Sequence, residues 1–165
     1  MAGTGRRTRP ALTITGMPLE SIFSAASMVA MIGWLLLALL PRQRHARIAA
    51  GVVLPLLLSG VYLVLIVQYF GEGEGGFGSL ADVNLLFQNQ AVLLGGWIHY
   101  LAFDLFIGAW ETRDAERHGV PHLVILPCLV MTFLLGPIGL LFYFAIRTAK
   151  TRSLTVSDTV SKIAI

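Results

Sequence analysis

Charged residues are what this chain has least of: Asp, Glu, Lys and Arg make up 13% of its 165 residues, against roughly 25% in soluble domains. With 56% hydrophobic residues and a mean hydropathy of +0.76, that scarcity excludes a soluble globular domain. The composition is that of an integral membrane protein. Cysteine is nearly absent too. Cys128 stands alone, which excludes an intrachain disulfide and any CxxC metal or redox motif; in mid-helix it reads as a small packing residue. The chain also lacks HExxH and a Walker lysine. Its glycine-rich run, Gly71-Glu72-Gly73-Glu74-Gly75-Gly76-Phe77-Gly78, carries glutamates that would repel a phosphate, so it reads as a flexible loop. No internal repeat is evident.

Long apolar runs are what the chain has instead. Four can be drawn, at about 20 to 41, 48 to 69, 90 to 111 and 121 to 146, each long enough for a ~30 Å hydrocarbon core at ~1.5 Å per residue. The expected fold is all-α: an integral membrane bundle of four transmembrane helices. Residues 1–19 form a basic N-terminal tail, 20–147 the transmembrane domain and 148–165 a C-terminal tail. The first tail is basic like a signal n-region, but the run that follows is too long for an h-region, so a mature chain without a removed segment is expected. Ser79 to Asp82 has capping-box spacing, and Leu80, Val83, Leu86 and Phe87 share one helical face. These residues predict a short interfacial helix before the third span. In the first span, Ser24, Ala26, Ser27, Ala30 and Gly33 would let another helix approach closely, and Pro55 bends the second by freeing the carbonyl of Gly51. The third helix is expected to run on to His118, with Gly119 as its cap and Pro121 opening a fourth, antiparallel helix kinked at Pro127 and Pro137.

Charge placement sets partners and orientation. A net charge of +3 could suggest nucleic acid, but Arg42, Arg44 and Arg47, then Arg147, Lys150 and Arg152, stand beside helix ends and read as a topology signal. No nucleic-acid partner is expected; membrane lipid is. With four spans, Arg6, Arg7, Arg9, Arg147, Lys150, Arg152 and Lys162 share one side against Arg42, Arg44, Arg47, Arg113 and Arg117. Seven against five tips both termini toward the cytoplasm.

The chemistry-bearing stretch is Trp97-Ile98-His99-Tyr100-Leu101-Ala102-Phe103-Asp104-Leu105-Phe106. A carboxylate deep in a membrane helix costs roughly 2.5 to 3.5 kcal/mol on insertion scales, so an intramembrane Asp is read as functional. Taking His99 as zero, Trp97 falls at about 160°, Tyr100 at about 100°, Asp104 at about 140°, Gly108 at about 180° and Glu111 at about 120°. One face collects Trp97, Tyr100, Asp104 and Glu111, and Gly108 opens space beside them. His99 lies far enough round the helix that it and Asp104 either enter one cavity from opposite margins or face different neighbours. Levelling the tight turn at 118 to 121 sets Asp104 opposite the Gly136-Pro137 kink, where it could satisfy the carbonyl of Phe133 that Pro137 cannot reach. Glu111, Asp114, His118 and His122 are expected near the interface, solvated or snorkelling. Carboxylate and imidazole suit several metals, but the spacing matches no metal motif and no metal site is assigned.

At Trp97-Ile98-His99-Tyr100-Leu101-Ala102-Phe103-Asp104-Leu105, and on through Pro121-His122, Pro127-Cys128-Leu129 and Gly136-Pro137-Ile138-Gly139-Leu140-Leu141, the sequence resembles the bacterial branch of a small four-helix membrane family. Its plant members are the abscisic-acid-deficient type proteins needed to make neoxanthin from violaxanthin. The resemblance covers about residues 20 to 147; it departs after Asp104, at Phe106-Ile107-Gly108-Ala109-Trp110-Glu111, and in a proline-richer fourth helix. It implies a multi-pass protein of the bacterial cytoplasmic membrane acting on a lipid-soluble polyene or other isoprenoid. The implied reaction is a neoxanthin-synthase-like isomerisation, in which an epoxide opens to an allene and an alcohol. Such a step needs an acid and a base but no redox cofactor. Asp104 is the expected general acid and His99 the base, or the reverse, with Trp97, Tyr100, Phe103, Gly108 and Pro137 around the substrate. A pigment-binding scaffold or subunit, and a proton-coupled carrier that would have to assemble as a homo-oligomer, use the same residue types and stay open.

Overall fold

The computed structural model describes residues 16–71 and 74–152. Both tails, at 1–15 and 153–165, and Glu72 and Gly73 of the glycine-rich run lie outside the described residues. Every regular element in the described part is a helix. In chain order they are α1 (Leu19–Leu39), α2 (Arg44–Ile48), a π-helical turn (Ala49–Val53), α3 (Leu54–Tyr69), α4 (Leu80–Leu86), α5 (Gln90–Arg117), α6 (His122–Leu135) and α7 (Pro137–Thr151). Among the described residues three rods are long and apolar enough to cross a membrane: α1, the continuous Arg44–Tyr69 stretch and α5.

Local sequence explains most of the boundaries. Pro55 sits in the first turn of α3, directly after the π turn, so the wider turn absorbs the missing donor where a regular helix would clash. The Ser59 hydroxyl donates to the Pro55 carbonyl at 2.8 Å. Ser79 caps α4 by accepting from the Asp82 amide at 3.1 Å, as its spacing predicts. α5 ends where Gly119 takes φ +65° and the Val120 amide closes onto the Ala115 carbonyl at 2.8 Å, a glycine-terminated cap. Pro121 then caps α6.

The chain divides into two compact units, Met1–Phe106 and Ile107–Ile165, with α5 contributing to both. In the first, Ala26 and Ala30 of α1 pack with Leu58 and Leu65 of α3 and with Leu94, Ile98, Leu101 and Ala102 of α5. The small residues of α1 do what their spacing predicts. A Cβ on Gly33 would stand 2.5 Å from a methyl of Leu105, so close approach rather than apolarity holds these helices together. The pairs Phe23 with Trp97 and Gly33 with Leu105 show that α1 runs in the same direction as this part of α5.

In the second unit the fourth apolar segment is not one span. It breaks at Gly136, whose φ of 49° and ψ of −99° suit glycine and few other residues, and Pro137 opens a new helix where its missing donor costs nothing. The chain doubles back there. A Cβ on Gly139 would lie 2.1 Å from the amide nitrogen of Thr132, whereas seven residues of continuous helix would separate the two by about 10 Å. At the far end, Lys150 donates to the carbonyl of Gly119. α6 therefore descends antiparallel to the end of α5 and α7 returns beside it. With 14 residues, α6 reaches about 21 Å at 1.5 Å per residue, short of a ~30 Å core. The expected kink at Pro137 is thus a reversal, and Pro137 frees no mid-helix carbonyl at Phe133.

Candidate functional site

In the first unit, α5 presents two flanks. On one, Phe23 of α1 and Trp97 stand 5.7 Å apart and Trp97 and Tyr100 5.4 Å apart, forming a short ladder of tilted rings. The Trp97 indole donates to the hydroxyl of Ser27 at 3.4 Å. One turn further on, the Tyr100 hydroxyl donates to the Asp104 carboxylate. The second carboxylate oxygen, Oδ2, is buried and meets no hydrogen-bond partner among the described residues. A buried acceptor without a donor costs about 1 to 3 kcal/mol, a cost that a donor or a proton on this oxygen would relieve.

On the other flank, His99 stacks on Phe103 at 4.5 Å with the planes 16° apart, and Tyr62 of α3 tilts over it at 5.5 Å. Phe103 also lines a cavity of about 310 Å³ together with Ala102, Phe106, Pro55, Ser59 and the π turn. His99 and Asp104 therefore face different neighbours, as their angular separation allows. Of the expected substrate wall, Trp97 and Tyr100 stand together and Phe103 does not join them. Gly108 and Pro137 belong to the second unit. Gly108 is buried, with its carbonyl accepting from Thr112 at 2.9 Å, and Pro137 is exposed at the start of α7.

The second unit holds a polar cluster where a solvated edge was expected. Glu111 and Asp114 are 0% and 4% exposed, and Arg147 is 1% exposed. The Nε of Arg147 lies 2.7 Å from Asp114 Oδ2, and the Tyr143 hydroxyl donates to the same oxygen at 2.5 Å. Arg147 Nη2 reaches His118 Nε2 at 3.2 Å. Arginine only donates, so Nε2 must accept, and the ring proton sits on Nδ1, which donates to the Asp114 carbonyl at 2.8 Å. Thr132 bonds Glu111 at 3.0 Å. Trp110 closes the cluster, with ring contacts to Tyr143 and Phe144. These contacts correct two expectations: Glu111 and Asp114 are buried rather than snorkelling, and Arg147 is an internal ion-pair partner rather than a topology charge. Asp114 and His118 both engage Arg147, and no group of three or more His, Cys, Asp or Glu stands together among the described residues.

The model of the ABA DEFICIENT 4-like family matches residues 21–143. The chain belongs to that family. Comparison with curated proteins and with solved structures found no match. The match takes in both flanks of α5 and Asp114, Thr132 and Tyr143 of the polar cluster, while Arg147 lies just beyond it. In this ABA DEFICIENT 4-like chain, sequence reasoning missed Arg147, Tyr143 and Thr132. The available signal was the α5 spacing of Glu111, Asp114 and His118, three and four residues apart and so on one helical face. Such a polar face needs partners.

Proposed function

We propose that this ABA DEFICIENT 4-like protein is a membrane-embedded enzyme that isomerises a carotenoid or other isoprenoid polyene by proton transfer. Asp104 and Tyr100 form its acid–base pair. One observation carries this reading: in an otherwise apolar helix, a carboxylate is tied to a phenol through one oxygen and keeps the other buried and unbonded. In an epoxide opening, a proton leaves carbon, the carbon–oxygen bond breaks and the oxygen takes a proton. No electron is gained or lost, so one carboxylate with a phenol beside it is chemically sufficient. The tilted Phe23, Trp97 and Tyr100 rings supply an apolar wall suited to a conjugated chain, and the hydrocarbon surroundings keep water from the reacting atoms.

His99 supports a second reading because it borders the 310 Å³ cavity through Phe103: there it is the base and Asp104 the acid. The experiment that tests binding is extraction of the lipid-soluble molecules that co-purify in mild detergent. A polyene or other isoprenoid retained by the unaltered chain and lost in Trp97→Ala supports the ring wall; retention unchanged in Trp97→Ala contradicts it. Loss in Phe103→Ala instead moves the site to the His99 flank. If bound pigment is unaffected by Asp104→Asn and no product forms with either protein, the chain is a pigment-binding scaffold.

A further inference from the structure

The doubling back of α6 and α7 changes which charges share a side of the membrane. By connectivity, α1 crosses, Arg44–Tyr69 crosses back and α5 crosses again. The α6–α7 hairpin then returns to the end of α5 it left, as the Lys150 bond to Gly119 and the Arg147 pairing with Asp114 require. The three rods make an odd number of crossings. The loop after α1, the loop after α5 and the end of α7 consequently open on one side, and the residues before α1 and the α3–α4 connection on the other.

Charge sorts with that division. All eight described Lys and Arg residues, from Arg42 to Arg152, fall on the first side, and Arg147 alone among them is buried within the hairpin. Glu20, Glu74 and Asp82 fall on the second, while exposed Glu116 shares the first with the basic residues. Counting the whole sequence without Arg147 and the distal Lys162, seven basic residues (Arg42, Arg44, Arg47, Arg113, Arg117, Lys150, Arg152) stand against three (Arg6, Arg7, Arg9). The seven-to-five split of a four-span arrangement becomes a clear bias, with its sign reversed. We infer that the described residues cross the membrane three times, with the α1–α2 loop, the α5–α6 loop and the end of α7 in the cytoplasm. We further infer that exposed Arg117, Lys150 and Arg152 form a basic collar at the open end of the hairpin that docks the anionic phospholipid headgroups of that leaflet. This inference stands apart from the proposed chemistry.

Cys128 is buried and is the lone cysteine, so a Cys128→Ala background carries single reporters at exposed positions: Gln43→Cys, Asn84→Cys and Ala149→Cys. Spheroplasts are treated with a membrane-impermeant maleimide before and after lysis. Asn84→Cys should label in intact spheroplasts, and Gln43→Cys and Ala149→Cys only after lysis. Labelling of Gln43→Cys and Ala149→Cys from opposite sides restores four crossings and overturns the inference; labelling of both from outside overturns the orientation. Arg152→Cys replaces Ala149→Cys if the latter does not accumulate. For the collar, the protein is reconstituted in vesicles of equimolar phosphatidylglycerol and phosphatidylcholine, and the lipid retained after re-extraction is weighed by class. Roughly fivefold phosphatidylglycerol enrichment is expected. It should vanish in the Arg117→Gln, Lys150→Gln, Arg152→Gln variant; equal retention of both lipids by the unaltered chain refutes the collar.

Discussion

Arg147→Met removes a guanidinium that is 1% exposed and 2.7 Å from Asp114, so it strands a buried carboxylate. Breaking one side of a buried ion pair costs about 3 to 5 kcal/mol, because the remaining charge keeps its desolvation penalty without its partner. Tyr143 still donates to Asp114, as it does in the unaltered chain, so Asp114 keeps one donor and the loss falls at the lower end of that range. The expected destabilisation is therefore about 3 kcal/mol, or roughly 6 to 12 °C in Tm for a chain of this size. Removing both charges tests the mechanism. Asp114→Asn with Arg147→Met leaves a neutral amide that can still accept from Tyr143, and should restore most of the loss. The assay is thermal unfolding in detergent followed by the fluorescence of the three tryptophans, with Arg147→Met, Asp114→Asn and the double variant in one cycle. A cost under about 1 kcal/mol for Arg147→Met, the value of an exposed pair, would refute the buried clasp; so would strictly additive losses.

Other expectations follow from packing. Gly139→Ala places a Cβ 2.1 Å from the Thr132 amide nitrogen, a backbone atom that cannot rotate away, so the hairpin should open at a cost above the usual ~1 to 3 kcal/mol of overpacking; limited proteolysis near Gly136 should accelerate, and unchanged cleavage would contradict the reversal. Gly33→Ala meets only the flexible end of Leu105 and should cost about 1 to 3 kcal/mol, read as a lower Tm without loss of the hairpin. Ser79→Ala removes the α4 cap and should cost about 1 kcal/mol, read as faster amide exchange in residues 80–86.

The spans, the α4 cap and the turn at Gly119 to Pro121 are legible in the sequence because each rests on a local cause: apolar length, a serine three residues before an aspartate, a glycine followed by a proline. The hairpin is not. Residues 121 to 146 are long and apolar enough for a span, and Gly136-Pro137 reads equally as kink or reversal until Gly139 is seen against Thr132. The polar cluster was hidden for a related reason. Arg147 stands 33 positions from Asp114 and beside Lys150 and Arg152, so its neighbours in sequence point to an interface while its neighbours in space are a buried carboxylate and a histidine. For Asp104 and His99, helical geometry alone separated the two. That Asp104 is tied to Tyr100 follows from their i, i+4 spacing, which puts the phenol one turn below the carboxylate.

Asp104 is where the account is most exposed. The direct measurement is pigment composition in a violaxanthin-accumulating host expressing the unaltered chain, Asp104→Asn, Tyr100→Phe or His99→Ala, with each protein quantified in the membrane. The account predicts a new allenic isomer with the unaltered chain, its loss with Asp104→Asn, a roughly 10²-fold or larger fall with Tyr100→Phe and retention with His99→Ala. Unchanged pigments with all four proteins present, or full conversion by Asp104→Asn, would contradict it.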